Sequence, residues 1–345
     1  MQGGPEATDG RSGGEQDPVR IGFIGCGGRA GSHLTALGEH AQARIVAVCD
    51  LVEAAAQRAG ERLGVPWYTD HRPLLARDDL DAVVLSLPVF AHGAPELDVI
   101  ARGLPFLVEK PVARDLDTAR QVAAALHAAG LWASVGYQLR YTTAVRQAKA
   151  FLTTAGNGAR RVAVAEGHYW CGTSHTQAWH NDWTKAGGQL VEQATHTVDL
   201  MRHLVGDVEE VYSQQAHRVL REITSPDAYT VSLRFADGAL GGLTSSWTHD
   251  PRDWSHANIL NLSLDGCLLR LDGAGAHVLP ERGQALPEVD GPSLYDAFLR
   301  SVRAGRPEGV LSTYDDALAT LAVSLAANES AQTHRPVRIA DARGA

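Results

Sequence analysis

Residues 19–50, VRIGFIGCGGRAGSHLTALGEHAQARIVAVCD, constrain the fold more than any other stretch. An apolar run of strand length ends in a glycine-rich turn that opens a helical segment. A second apolar run then closes on an aspartate. Gly25-x-Gly27-x-x-Ala30 puts small residues where a strand must turn tightly into a helix and where backbone N–H groups must approach a pyrophosphate. Such a turn alone is common, but the acidic residue that a dinucleotide site requires roughly twenty residues further on is present as Asp50. Gly25, Cys26, Gly27, Gly28, Arg29, Ala30 and Asp50 are therefore the expected cofactor-binding set. The Asp50 carboxylate would accept hydrogen bonds from the adenine-ribose hydroxyls of NAD and repel the 2′-phosphate of NADP. Leu51 follows, with no lysine or arginine beside it to hold that phosphate, so NAD is expected over NADP. Arg29, a cation inside the loop, pulls the other way.

The strand–helix alternation continues through DAVVLSLP, HGAPELDVIARG, PFLVEKP, LDTARQVAAALHAAG and LWASVGY. Continuous β-branched runs between helices of this length imply a parallel sheet covered on both faces. Residues 19–137 are thus expected to form a Rossmann dinucleotide-binding domain in an α/β chain. Beyond Tyr137 the pattern changes. A helical stretch, AVRQAKAFL, is followed by runs that alternate in polarity, such as RRVAVAEGHYW, YTVSLRFA and ANILNLSL. Asp-Gly pairs at 237–238, 265–266 and 272–273 sit between runs of this kind, as tight hairpins require. Residues 138–345 are expected to form an α+β domain with a large, mostly antiparallel open sheet. A closing helix should span 313–331, entered at Ser312 or Thr313, with a last strand in RPVRI. Residues 1–18, rich in glycine and charge and nearly devoid of large hydrophobes, are expected to be a disordered leader.

The formal charge of −9 and the lack of any basic run argue against a nucleic-acid partner, because phosphate neutralisation needs clustered lysine and arginine. The apolar stretches fall short of the roughly 18 residues of a membrane span, and no charged start precedes an apolar segment as in a secretory signal. Cys26, Cys49, Cys171 and Cys267 form no CxxC pair. Reduced thiols and a cytoplasmic location are expected.

A second constellation lies in GGQLVEQATHTVD, residues 187–199, where Glu192, His196 and Asp199 are spaced four and three apart. On one helix that spacing stacks them on a single face, and the row suits a solvated stripe, a metal site or an acid–base centre. Asp199 could fix the His196 imidazole or cap a neighbouring loop. His168, Cys171, His175 and His180 are metal-competent types, but their spacing matches no common zinc pattern, and no metal is expected. The aromatic residues Tyr169, Trp170, Trp179 and Trp183 suit either a wall for a sugar ring or ordinary core. Lys110 ends the strand PFLVEK, at the carboxyl edge where parallel sheets bind ligands. The bond before Pro111 is one that can adopt the cis form.

At SLPVFAHG, VEKPVA, GYQLRYTTAVRQAK and GGQLVEQATHTVD the chain resembles the glucose–fructose oxidoreductase and inositol dehydrogenase family (Gfo/Idh/MocA), from about Val19 to the C-terminus. The resemblance implies a Rossmann domain followed by a domain whose open sheet often serves oligomerisation, hence a homodimer or homotetramer. It also implies nicotinamide-linked redox chemistry on a sugar, polyol or related alcohol. By it, Lys110, His196 and Glu192 face the reacting carbon as catalytic residues. Trp170 and Trp179 join Lys110, Glu192 and His196 in binding substrate. Ser86 and Leu87 should line the cofactor through their backbone, Gln138 should reach its nicotinamide end, and His92, Glu109 and Lys110 should lie beside it. Arg140 should hold the domain junction. Two further functions suit the same residues: a redox-assisted NAD-dependent glycosidase, and a non-catalytic sensor of NAD and sugar.

Overall fold

The computed structural model describes residues 17–153, 160–173, 179–250, 252–280 and 285–339; the expected leader lies outside them apart from Asp17 and Pro18. The first half runs β1 (Val19–Ile24), α1 (Gly28–Gly38), β2 (Ala43–Cys49), α2 (Glu53–Leu63), β3 (Trp67–Tyr68), α3 (His71–Leu75), β4 (Ala82–Leu85), α4 (Ala94–Ala101), β5 (Phe106–Val108), α5 (Leu116–Ala129) and β6 (Ala133–Val135). Its six strands form one parallel sheet in the order β3-β2-β1-β4-β5-β6. Winding reverses between β1 and β4, and ligands of such sheets bind beyond the carboxyl ends of the strands at that point. Gly25 makes the turn there with φ at +95°. A Cβ on it would collide with the Ser86 carbonyl oxygen, so only glycine fits.

The second half runs α6 (Thr143–Thr153), β7 (Val162–Trp170), α7 (Trp183–Ala186), α8 (Gln189–Glu192), α9 (Thr195–Leu204), β8 (Val208–Ala216), β9 (Ala228–Phe235), β10 (Leu240–Ser246), β11 (Ile259–Leu264), β12 (Cys267–Asp272), β13 (Gly275–Leu279), α10 (Leu294–Ala304), α11 (Tyr314–Thr333) and β14 (Val337–Arg338). Its eight strands are ordered β13-β12-β11-β7-β10-β9-β8-β14 and pair antiparallel except for β7 with β10. The three Asp-Gly pairs connect β9 to β10, β11 to β12 and β12 to β13, as their turn chemistry implies. On β9 the buried side chains Tyr229, Val231, Leu233 and Phe235 alternate with outward ones, so one face of the sheet meets helices α6, α9 and α11. The opposite face carries the exposed side chains Val164, Tyr212 and Leu240.

The end of the chain returns to the first sheet. Leu294, Ala297, Phe298 and Leu299 of α10 are buried with Ile21, Phe23 and Leu34. Helix α11 starts at Thr313, whose side chain accepts from the Asp316 N–H. Its Tyr314, Ala317 and Leu321 pack with the parallel-sheet core, and its Val323, Ala326 and Ala327 with the other. A helix apolar on nearly all sides is buried between layers. Arg140 completes the junction, as its position after β6 implies. Its guanidinium donates to both Asp199 carboxylate oxygens, at 2.8 and 2.6 Å, and to the Leu311 carbonyl at 2.6 Å.

The packing of α10 predicts that Phe298→Ala lowers the unfolding free energy by about 3–5 kcal/mol, read by urea denaturation. A change near zero would mean that the far end of the chain is not part of the first core.

Candidate active site

Helix α1 begins at Gly28 with no side chain capping its first turn, so backbone N–H groups there are left for a ligand. A Cβ built on Gly27 would meet no atom within 4 Å, which leaves open space in front of those donors. Asp50 lies beside the turn: one carboxylate oxygen accepts from the Cys26 N–H at 2.7 Å and the other from the Val52 N–H at 2.8 Å. These bonds hold the carboxylate at the end of β2, with lone pairs left for a ribose diol. The residues present therefore fit a dinucleotide. Cys26 contributes its backbone only, since its thiol is directed to the Cys49 carbonyl at 3.5 Å. All four cysteines are free, and burial pushes the Cys26 and Cys49 thiols up to about 12.

From the glycine turn a cavity of about 410 Å³ runs to the second half of the molecule. Gly27, Gly28, Arg29 and Ala30 line one end, followed by Ser86, Leu87, Glu109 and Lys110 from the ends of β4 and β5. Gln138, Trp179, Glu192 and His196 are among those that line the rest. Thus Lys110, Glu192 and His196, distant in sequence, come together as expected. The peptide bond between Lys110 and Pro111 is cis. The Lys110 ammonium donates to the Glu192 backbone carbonyl at 2.6 Å and lies 3.8 Å from the Glu192 carboxylate.

Glu109 joins three residues. Its buried carboxylate accepts from Arg29 Nε at 2.9 Å, faces His33 Nε2 at 2.6 Å and accepts from the Lys110 N–H at 3.1 Å. Burial alone would raise its pKa, but the His33 hydrogen bond and charge, with Arg29 and Lys110, pull it well below the usual range. One carboxylate thereby ties the glycine turn to the backbone of Lys110. Burial acts the same way on Glu192, and the Lys110 charge, with the hydrogen bond to His180, outweighs it and lowers its pKa, keeping it ionised. For His196, burial and the Lys110 ammonium lower the pKa to about 3, so the imidazole is neutral at ordinary pH.

Several expectations need correction. Residues 189–204 are not one helix: α8 ends at Glu192, Gln193 leaves helical geometry, and α9 restarts at Thr195. Gln193 is held away by its side-chain carbonyl, which accepts from Trp247 Nε1 at 2.5 Å and the Cys171 thiol at 2.9 Å. Asp199 neither orients His196 nor caps a loop, because its carboxylate is taken by Arg140. Trp170 lies outside the cavity lining, edge-on to His168 and His249 with ring centroids 5.2 and 5.8 Å away. Successive strand residues face opposite sides, so on β7 it is Tyr169, not Trp170, that lines the cavity. His92 is also outside the lining, buried with Nδ1 2.6 Å from Glu96. Of the metal-competent types, His168 meets Thr244, Cys171 meets Gln193 and His180 meets Glu192, while His175 lies outside the described residues. Among the described residues no three His, Cys, Asp or Glu side chains are arranged to hold a metal.

Sequence reasoning also missed lining residues: Pro88, Val89, Gln193, Trp254 and Asn258, with His180 considered only as a metal ligand. His180 stacks on Trp179 with centroids 3.6 Å apart and places Nε2 3.5 Å from the Glu192 carboxylate. Trp254 and Asn258 come from the connection between β10 and β11, which carries no motif. The Trp179–His180 pair does hold a signal, a flat aromatic next to a titratable group just before the glycine pair.

Known proteins resemble the chain over most of its length. Residues 19–137 match the oxidoreductase family with an NAD-binding Rossmann fold (GFO/IDH/MocA), and residues 145–260 match the GFO/IDH/MocA C-terminal domain. The rhizopine catabolism protein MocA of Rhizobium meliloti is 24% identical over 319 residues, 90% of this chain and 94% of that protein. The scyllo-inositol 2-dehydrogenase (NAD(+)) of Bacillus subtilis is 25% identical over 86% of this chain and 89% of its own. The WlbA dehydrogenase from Bordetella pertussis, solved in complex with NADH and UDP-GlcNAcA, superposes with a TM-score of 0.80 at 24% identity, covering 93% of this chain and 98% of that one. An NAD-binding parallel sheet, a second mostly antiparallel sheet and matches to both halves make this chain a member of the Gfo/Idh/MocA family of oxidoreductases.

Proposed function

We propose that the protein is an NAD-dependent dehydrogenase acting on a secondary alcohol of a sugar, polyol or sugar derivative. The observation that carries this reading is the meeting of Lys110 and His196 in the cavity that begins at the glycine turn. Nicotinamide, when bound, supplies the hydride acceptor; everything else falls to side chains of this chain. A neutral His196 takes the hydroxyl proton as the alcohol is oxidised. The Lys110 ammonium donates to the same oxygen and stabilises its developing negative charge. Glu192, ionised beside both, keeps the lysine in place. In ketone reduction each role reverses. Asp50, with the exposed Leu51 after it, supports NAD over NADP. The exposed apolar side chains on the uncovered sheet face support a homodimer or homotetramer. Free cysteines favour the cytoplasm, and among the described residues no helix is long and apolar enough to cross a membrane.

Lys110→Ala should lower kcat/KM for polyol oxidation by roughly 10²–10³-fold, and His196→Ala by roughly 10²–10⁴-fold, with unchanged far-UV circular dichroism. Near-normal rates in both variants would remove the proposed centre. NADH should form one-for-one with ketone; aglycone release without NADH would instead indicate redox-assisted glycoside cleavage.

A base is active when deprotonated, and His196 with a pKa lowered to about 3 stays deprotonated far below the usual 6.5. The His196 ring resonances should therefore show no titration step from pH 8 down to 5 in an NMR series. The same depression leaves the unfolded chain holding more protons, so this residue's share of stability declines as pH falls below 6.5. A midpoint near 6.5 would contradict the burial.

Asp50 predicts a kcat/KM at least about ten-fold higher with NAD than with NADP, narrowing in Asp50→Ala. An NADP preference in the unaltered protein would overturn the assignment.

A further inference from the structure

The cations around the reacting centre are committed in pairs. Arg29 is engaged by Glu109, and Lys110 by the backbone and carboxylate of Glu192. Each cation there is matched by a carboxylate. Among the described residues lining the cavity no further lysine or arginine occurs.

The side-chain atoms left over include two acceptors, a carboxylate and an amide oxygen. Glu192 Oε2 and Gln138 Oε1 are buried without a hydrogen-bond partner, as are His180 Nδ1 and His196 Nδ1. A buried acceptor without a donor costs free energy until a ligand supplies one. A carboxylate or phosphate on the substrate would bring further acceptors next to an ionised Glu192, with no unpaired cation to meet it. A hydroxyl brings the missing donor.

Building on the dehydrogenase reading, we infer that the site selects polyhydroxylated substrates that carry no anionic group, with Glu192 as the residue that excludes uronates and sugar phosphates. Trp179 and Trp254, which line the same cavity, give binding an optical signal that does not depend on turnover.

The test uses matched probes, D-glucose against D-glucuronate and D-galactose against D-galacturonate. Each is titrated into the full-length protein saturated with NADH and followed by tryptophan fluorescence, with NADH formation measured separately with NAD. The neutral member of each pair should bind at least about ten-fold more tightly, because a further negative charge beside Glu192 finds no cation left unpaired. In Glu192→Gln the ratio should shrink towards one, a change of discrimination that loss of packing alone would not produce. Equal or tighter uronate binding in the unaltered protein would overturn the inference, as would no response to either neutral sugar. The wild-type comparison decides even if the variant misfolds. Preferred binding of neutral sugars without turnover would sink the dehydrogenase reading and leave this one standing. Turnover with uronate preference would do the reverse.

Discussion

The contact between Lys110 and Glu192 is the constraint on which the site depends. The lysine leaves the carboxyl end of a strand in the first sheet, and its ammonium reaches the carbonyl of a residue 82 positions later. Only when the second half packs over the open edge of the first does the ammonium find this acceptor. The contact is partly buried, so its worth lies in placement: a misplaced lysine would leave a charge and a carbonyl there without their partners.

Around that contact, charge is managed by pairing. Glu109 is held ionised in a buried position by His33, Arg29 and the Lys110 backbone, which links pyrophosphate turn, lysine and helix α1 in one network. Tyr295 of α10 closes it from behind, its hydroxyl 3.0 Å from His33 Nδ1. The last third of the chain thereby supports the cofactor half as well as its own sheet. Arg140 and Asp199 form a second buried pair at the junction, on the helix that carries His196. Both arrangements stabilise the relative position of the halves, and catalytic geometry of this kind tolerates little displacement.

Much of the fold was legible because local patterns and the tertiary structure agree. Gly25 and Asp50 stand where the turn and the second strand require them, and the Asp-Gly pairs mark hairpins that formed. The less legible parts share a cause. A strand buries every second residue, but the sequence of β7 does not say which of Tyr169 and Trp170 faces the cavity. Helical spacing from Glu192 to Asp199 suggested one face, yet Gln193 breaks the helix to satisfy Trp247 and Cys171 from elsewhere. Asp199 was drawn to an arginine that sequence placed at the junction without naming its partner. Trp254 and Asn258 line the cavity from a connection whose residues obey no local rule.

By itself the sequence determined the α/β half with its parallel sheet, the alternating strands of the other half and the dinucleotide turn. These follow from periodicity, turn chemistry and residue type, which act over a few neighbouring positions. Only the tertiary structure decided that α10 completes the first core, that Asp199 serves the junction, and that Lys110, Glu192 and His196 share one cavity. Contacts between residues far apart in the chain, and the pKa shifts they impose, depend on burial and distance in three dimensions, quantities that no local pattern encodes.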